Sequence, residues 1–263
     1  MPPDTLESAR AAPVAPPPAA TTPRPYGFWA TMGLGLACFA FWILIGGIVA
    51  MAFTLSEKID RPALDVNSYV ETLESNGLLL AVATMITAPA CAGLLALFAW
   101  LRGWGVRDYL GLRMPPWRQT AVSLLALAAL MVATDLVTHA LGRPIVPEFM
   151  TKAYRSAGWL PLLVAALVVG APVFEETFMR GFVFRGIAAS RLGGVMAILL
   201  TAAFFALVHT QYDWYGKGTI FVVGLVFGGV RLWTGSVALT MLMHAVMNIV
   251  ATVEAAVVVE MLN

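Results

Sequence analysis

The chain has 263 residues, of which 60% are hydrophobic and only 12% are charged, and its net formal charge is +1. Soluble domains carry about 25% charged residues, whereas the mean hydropathy here reaches +0.82. This composition excludes an ordinary soluble domain, and the absence of a basic tract argues against a nucleic-acid partner. The two cysteines, Cys38 and Cys91, lie inside apolar runs, so we expect packing residues with neither a disulfide nor a metal site.

The first 26 residues are rich in proline and alanine, without an apolar stretch long enough to bury. We expect residues 1–26 to be a disordered cytoplasmic tail and not a signal peptide. Seven apolar runs follow, with six or eight also possible, at 27–55, 77–101, 119–141, 159–179, 194–209, 219–233 and 236–258. A helical span needs about 20 apolar residues, and backbone groups in lipid must be paired within their own segment. The sequence therefore predicts an all-α polytopic membrane protein.

The loop arginines and lysines favour a cytoplasmic N-terminus. On that topology ten basic residues lie on the inner side and six on the outer side, or nine against six if Arg180 belongs to a site. The same topology predicts that the end of the 159–179 helix, with Glu175 and Glu176, faces the cytoplasm.

Three charged side chains, Glu175, Glu176 and Arg180, lie in the stretch "GAPVFEETFMRGF". One charge at the centre of a membrane helix costs about 2.5–3.5 kcal/mol, so such residues are candidate functional groups. Glu176 and Arg180 are four residues apart on one helical face, a spacing suited to an ion pair. Glu175 is rotated by about 100° from Glu176, and nothing local neutralises it.

Two histidines and an asparagine extend the polar set. His209 closes the run 194–209, and His244 and Asn248 share one face of the last run. Each has a structural explanation, as an interfacial residue or an interhelical hydrogen-bond pair. Together they suit hydrolysis, in which a carboxylate activates water, one histidine orients it, and a second histidine and an asparagine donate hydrogen bonds to the developing oxyanion. Two histidines and a glutamate could instead hold Zn²⁺ with an open water position, although no HExxH motif is present.

Three motifs carry a family resemblance. The segment "EETFMR" resembles the EExxxR motif of the CAAX-protease and bacteriocin-processing (CPBP, or ABI) intramembrane peptidases. The segments "FALVH" and "HAVMN" are similar to the FxxxH and HxxxN motifs of that family, in the same order. The resemblance covers about residues 159–250.

The resemblance implies a fold of about seven or eight transmembrane helices around a catalytic cavity near the membrane interface. It implies that Glu175 is the water-activating base with His209 beside it, and that Glu176 and Arg180 support them. His244 and Asn248 would form the oxyanion site. The chemistry could be metal-free or could use Zn²⁺ held by Glu175, His209 and His244; we favour the metal-free version, because asparagine is a poor zinc ligand.

The expected substrate is a peptide or membrane protein, prenylated or close to lipid, in the inner (plasma) membrane of a bacterium. We divide the chain into the tail 1–26, N-terminal transmembrane helices 27–141, and a catalytic core 142–263.

Two other functional classes stay open. One is a non-catalytic membrane scaffold that keeps the motif residues for structure. The other is a proton- or cation-coupled transporter using Asp135, Glu175 and the histidines, although the polar residues cluster late in the chain instead of in two related halves. Asp135 and His139 are four residues apart, and we favour a structural pair over a proton relay; Glu254 receives no role.

Overall fold

The computed structural model describes residues 23–261, and within that range the regular structure is helical, without a strand. The predicted all-α class is confirmed. The helices are α1 Phe28–Asp60, α2 Val66–Thr72, α3 Gly77–Leu101, α4 Val106–Leu110, α5 Trp117–Ala140, α6 Glu148–Arg155, α7 Leu160–Ala188, α8 Gly193–Val208, α9 Trp214–Thr234 and α10 Val237–Met261.

Six helices in the described range are long and apolar enough to cross a bilayer: α1, α3, α5, α7, α9 and α10. All seven predicted apolar runs correspond to helices, but the fifth, α8, has 16 residues. At 1.5 Å per residue it extends about 24 Å, less than the roughly 30 Å of a hydrocarbon core. The bundle is therefore a membrane protein with six full-length candidate spans and one shorter apolar helix.

Residues 1–22 of the predicted tail 1–26 lie outside the described range. Tyr26, the last residue of that segment, belongs to the packed structure. Its hydroxyl donates to the carbonyl of Phe98 at 3.0 Å, and its ring contacts the rings of Tyr109 and Phe182. Disorder was therefore not the correct expectation for Tyr26, because its aromatic side chain packs against the bundle.

The fourth apolar helix corrects the sequence-based boundary. We predicted an end near residue 179, but α7 continues to Ala188. Glu176 and Arg180, two of the polar residues that suggested an end, are partnered inside the bundle, so the helix need not stop at them. Glu175 and Glu176 lie near its middle, and the prediction that they mark the end of the helix was wrong.

Two π-helical turns interrupt α7, at Ala166–Gly170 and Thr177–Val183. In the first, the Ala171 N–H bonds to the Ala166 carbonyl, five residues back. An α-helical Ala171 would have donated to Leu167 instead. The next donor in π register would be residue 172, but Pro172 has no N–H. The carbonyl of Leu167 is therefore left available for a partner outside the helix.

The second π turn leaves a carbonyl available in the same way. The Phe184 N–H bonds to Met179, so the carbonyl of Arg180 loses its α-helical donor. The Nε of Arg231 on α9 donates to that carbonyl at 2.9 Å. Such π turns are frequent at functional sites, and both of these flank the glutamate pair.

Helices α8 and α9 approach closely through small residues. A Cβ on Gly224 would lie 2.9 Å from the Cα of Ala202, and one on Gly228 would lie 3.0 Å from Ile198 Cγ2. Gly224 and Gly228 form a G-x-x-x-G pattern, which lets helix backbones pack tightly in membranes. This contact fixes the middle of α8, the helix that His209 follows, against α9.

The connections lie at two opposite ends of the bundle. At one end Arg143, before α6, pairs with Asp213, before α9, at 2.7 Å. At the other end the Ser236 hydroxyl, between α9 and α10, donates to the carbonyl of Arg113, before α5, at 2.6 Å. We call the first the α6 end and the second the α4 end.

Candidate active site

Glu176 is fully buried and holds two motif residues together. Its Oε1 accepts from Arg180 Nη1 at 3.1 Å and lies 3.1 Å from His244 Nδ1. The ion pair expected from the four-residue spacing is present. Because a carboxylate can only accept, the Nδ1 of His244 carries the hydrogen.

Arg180 is packed between aromatic rings. Its guanidinium carbon lies 4.6 Å from the Phe205 ring centroid and 5.5 Å from that of Phe227. A guanidinium in this position gains cation–π attraction that partly offsets its removal from water. The phenylalanine of the FxxxH motif therefore supports the arginine of the EExxxR motif.

Phe205 also orients His209 through its backbone. The Nδ1 of His209 lies 2.7 Å from the Phe205 carbonyl oxygen. Since that oxygen accepts only, Nδ1 donates, and the neutral ring keeps a lone pair on Nε2. His209 is half-buried and lines the cavity described below, so this lone pair can receive a hydrogen from water.

Glu175 differs from its neighbour because no cation neutralises it directly. Its side chain is 27% exposed, and its Oε2 is buried without a hydrogen-bond partner among residues 23–261. The Nε2 of His244 lies 3.9 Å from that oxygen. His244 thus lies between the two glutamates, and Glu175 is the carboxylate left to act on a bound molecule.

Asn248 is fixed by the first π turn of α7. Its Nδ2 donates to the unused carbonyl of Leu167 at 2.7 Å. This bond identifies the nitrogen end of the amide, because a carbonyl cannot donate. The second amide hydrogen and Oδ1 remain for other partners.

A cavity of about 380 Å³ brings these residues together. Glu175, His209, His244 and Asn248 all line it, whereas Glu176 and Arg180 lie behind them as fully buried support. One wall is apolar and aromatic, and six of its residues are Phe39, Trp42, Leu163, Leu167, Phe174 and Phe178. Glu74 and Tyr154 also line it, so the cavity extends toward the α6 end.

A second cavity, also of about 380 Å³, lies on the other side of the motif histidines. His209, His244 and Asn248 line both cavities, so these residues form the junction between them. Asp135 and Glu254 line only the second cavity.

The family comparison agrees with this geometry. Residues 157–250 match the family model of type II CAAX prenyl endopeptidase Rce1-like proteins. The chain carries an Rce1-like domain. The resemblance to CAAX-type peptidases, expected over about 159–250, is confirmed. No curated protein and no solved structure gave a significant match.

The Rce1-like domain contains all six motif residues and the helices α7 to α9 with part of α10. Helices α1, α3 and α5 precede the matched segment, yet α1 and α3 supply Phe39, Trp42 and Ala88 to the first cavity. The family segment therefore provides the polar groups, and the preceding helices provide much of the apolar wall.

The candidate zinc ligands Glu175, His209 and His244 share a cavity wall, but within residues 23–261 no three His, Cys, Asp or Glu side chains are grouped so as to hold a metal ion. His244 also directs its Nδ1 to Glu176.

Asp135 and His139 do not form the structural pair that we favoured. His139 is exposed, whereas Asp135 turns into the second cavity. No hydrogen bond or ion pair joins their side chains, both of which belong to the described range. Asp135 and Glu254, on helices α5 and α10, both line the second cavity. Cys38 and Cys91 are both buried free thiols, as expected.

Tyr212 is a polar residue of the junction that the sequence did not indicate. Tyr212 follows His209 by three residues and lines both cavities. A tyrosine in the segment "HTQYD" carries no periodicity or motif signal, because its position depends on how the turn folds back. Its nearness in sequence to His209 was the one available indication.

Proposed function

We propose that the chain is an intramembrane endopeptidase that hydrolyses a peptide bond with a water activated by Glu175. The observation that carries this proposal is the convergence of three separate motifs on one cavity wall, with Glu176 locked by Arg180 and Glu175 left without a cation. A scaffold would need no such uncompensated carboxylate in a cavity.

In the proposed first step, a water lies between Glu175 and the Nε2 lone pair of His209. Glu175 takes one proton as the water oxygen attacks the scissile carbonyl carbon. The negative charge that develops on the carbonyl oxygen is stabilised by a hydrogen bond from Asn248 and, when both ring nitrogens carry a hydrogen, by a second one from His244 Nε2.

In the second step, the C–N bond of the tetrahedral intermediate breaks. Glu175 returns its proton to the leaving nitrogen, which gives an amine and a new C-terminal carboxylic acid. Protons and electrons balance without a further reactant, and the low polarity of the aromatic wall strengthens each electrostatic interaction.

The apolar wall supports a substrate that is a hydrophobic peptide or a membrane protein cleaved near lipid. Its aromatic rings could hold a prenyl group or an apolar side chain equally well, since both are recognised by surface burial. A pair of quenched peptides, identical except for a farnesyl group on one cysteine, separates these two cases by their KM values.

We also propose that the N-terminus is cytoplasmic, in the inner (plasma) membrane of a bacterium. Because α7 extends to Ala188, Arg180 belongs to the site, and the remaining basic residues, in loops or near helix ends, divide nine against six in favour of this orientation. The α6 end, toward which the first cavity extends, then faces the outer side.

The test compares purified wild-type protein with Glu175→Gln and with Glu74→Gln, the same change at another carboxylate of that cavity. We expect Glu175→Gln to abolish cleavage of the quenched peptides and Glu74→Gln to leave the rate within threefold. Equal activity of wild type and Glu175→Gln would contradict the proposal. Metal content and chelator sensitivity of the active preparation decide between the metal-free and zinc-dependent chemistries.

A further inference from the structure

Tyr212 is held at the junction of the two cavities by its own turn. It lies in the short connection between α8 and α9, and its backbone N–H donates to the His209 carbonyl at 3.2 Å. His209 and Tyr212 therefore belong to the same turn, and their ring centroids are 6.1 Å apart. Whatever positions His209 also positions Tyr212.

The Tyr212 ring is clamped on both sides. Phe149 on α6 packs edge-to-face against it, with centroids 4.9 Å apart. On the other side, a Cβ on Gly216 would lie 2.6 Å from Tyr212 Cδ1, so only glycine leaves room for the ring. The side chain of Asp213 accepts a hydrogen bond from the Gly216 N–H at 2.9 Å, which stabilises this first turn of α9.

The hydroxyl of Tyr212 is a neutral and uncommitted donor. Burial, and secondarily the negative charge of Glu175, raise the pKa of Tyr212 to about 12. The phenol therefore stays protonated at neutral pH, and no hydrogen bond from a described residue contributes to that shift. A protonated phenol beside a carboxylate, in a cavity, is available to a bound molecule.

The proposed oxyanion site lacks uncommitted hydrogen-bond donors, because His244 and Asn248 already donate elsewhere. The Nδ1 of His244 already donates to Glu176, so its Nε2 donates only when the ring is doubly protonated. Asn248 has given one of its two amide hydrogens to Leu167. The Tyr212 hydroxyl has no such commitment within residues 23–261 and lines the same junction.

We propose that Tyr212 is a further catalytic residue, whose hydroxyl donates a hydrogen bond to the scissile carbonyl oxygen as negative charge develops on it. The assignment rests on the proposed endopeptidase function. It adds to the base Glu175 a third oxyanion donor that no motif contains.

Tyr212→Phe tests this assignment because it keeps the ring between Phe149 and Gly216 and removes only the hydroxyl. The probe is the quenched farnesylated peptide, and the matched control is Tyr109→Phe, which removes a buried hydroxyl, unpartnered among residues 23–261, from a tyrosine that lines neither cavity. Loss of one oxyanion donor lowers kcat by about 10²- to 10³-fold. We expect that fall in kcat for Tyr212→Phe with KM changed less than threefold, and near wild-type kinetics for Tyr109→Phe.

A second variant displaces the ring without removing the hydroxyl. Gly216→Ala should lower kcat, whereas Gly218→Ala, where an added Cβ meets nothing within 4 Å, should not. Cleavage that requires Glu175 but keeps its kcat in Tyr212→Phe would overturn this assignment alone. The absence of any Glu175-dependent cleavage would overturn the proposed function and this assignment together.

Discussion

Glu176 shows how this protein keeps a charge inside a membrane helix. The carboxylate is fully buried, and one oxygen serves both Arg180 and His244. Its other oxygen and two nitrogens of Arg180 have no partner among the described residues, so the pair depends on mutual attraction and on the rings of Phe205 and Phe227. Removal of one member of such a pair leaves an uncompensated buried charge, which is strongly destabilising.

Arg180→Ala should therefore lower the free energy of unfolding by about 3–5 kcal/mol. Arg118→Ala is the control, because Arg118 is exposed at the start of α5. The double variant Glu176→Gln with Arg180→Met removes both charges and should be less destabilised than Arg180→Ala alone. Thermal and denaturant unfolding of the detergent-solubilised protein measures all three. An Arg180→Ala protein as stable as Arg118→Ala would show that the pair has no structural role.

At the scale of the element, Pro172 shapes α7 and thereby the site. Its missing N–H leaves the Leu167 carbonyl for Asn248, a contact between helices α7 and α10 that is 81 residues apart in sequence. Pro172 and the π turn thus act together: the irregularity that they create in α7 orients the side chain of Asn248 on α10.

Pro172→Ala should restore a donor that competes with Asn248 for the Leu167 carbonyl. Loss of one hydrogen bond is worth about 0.5–1.5 kcal/mol, so we expect the cleavage rate to fall by about tenfold while the melting temperature is kept or raised. The matched control is Pro161→Ala in the first turn of the same helix, where an N–H has no helical acceptor. An unchanged rate in Pro172→Ala would separate the π turn from catalysis.

The same helix shows what the sequence could and could not predict. Long apolar runs and the four-residue spacing of Glu176 and Arg180 depend on helix geometry alone, so the helical class and the ion pair were predictable. The end of α7 was not, because the partners that let charged residues continue inside the bundle lie on α8, α9 and α10. The positions of Asp135 in the second cavity and of Tyr212 at the junction depend on packing between distant segments in the same way.

At the scale of the whole molecule, residues 157–250 and the helices that precede them contribute different parts of the site. The Rce1-like domain supplies the polar groups, and α1 and α3 close the apolar side of the first cavity. The site is buried between helices and extends toward the α6 end, so the orientation of the chain decides which compartment its substrate reaches.

Cysteine accessibility tests that orientation. Single cysteines at Glu71, near the α6 end, and at Arg107, near the α4 end, are introduced into a Cys38→Ser, Cys91→Ser background. We expect an impermeant maleimide to label intact cells at position 71 and to label position 107 only after lysis. The reverse pattern would place the α6 end in the cytoplasm.

The most direct measurement of the central claim is the set of new protein C-termini in membranes. Cells that express wild type, Glu175→Gln or Glu74→Gln at equal levels are compared by C-terminal proteomics. We predict new C-termini, within or next to apolar segments, with wild type and Glu74→Gln and their loss with Glu175→Gln. The same C-termini at equal abundance in all three membranes would contradict the assignment of Glu175 as the base of a membrane endopeptidase.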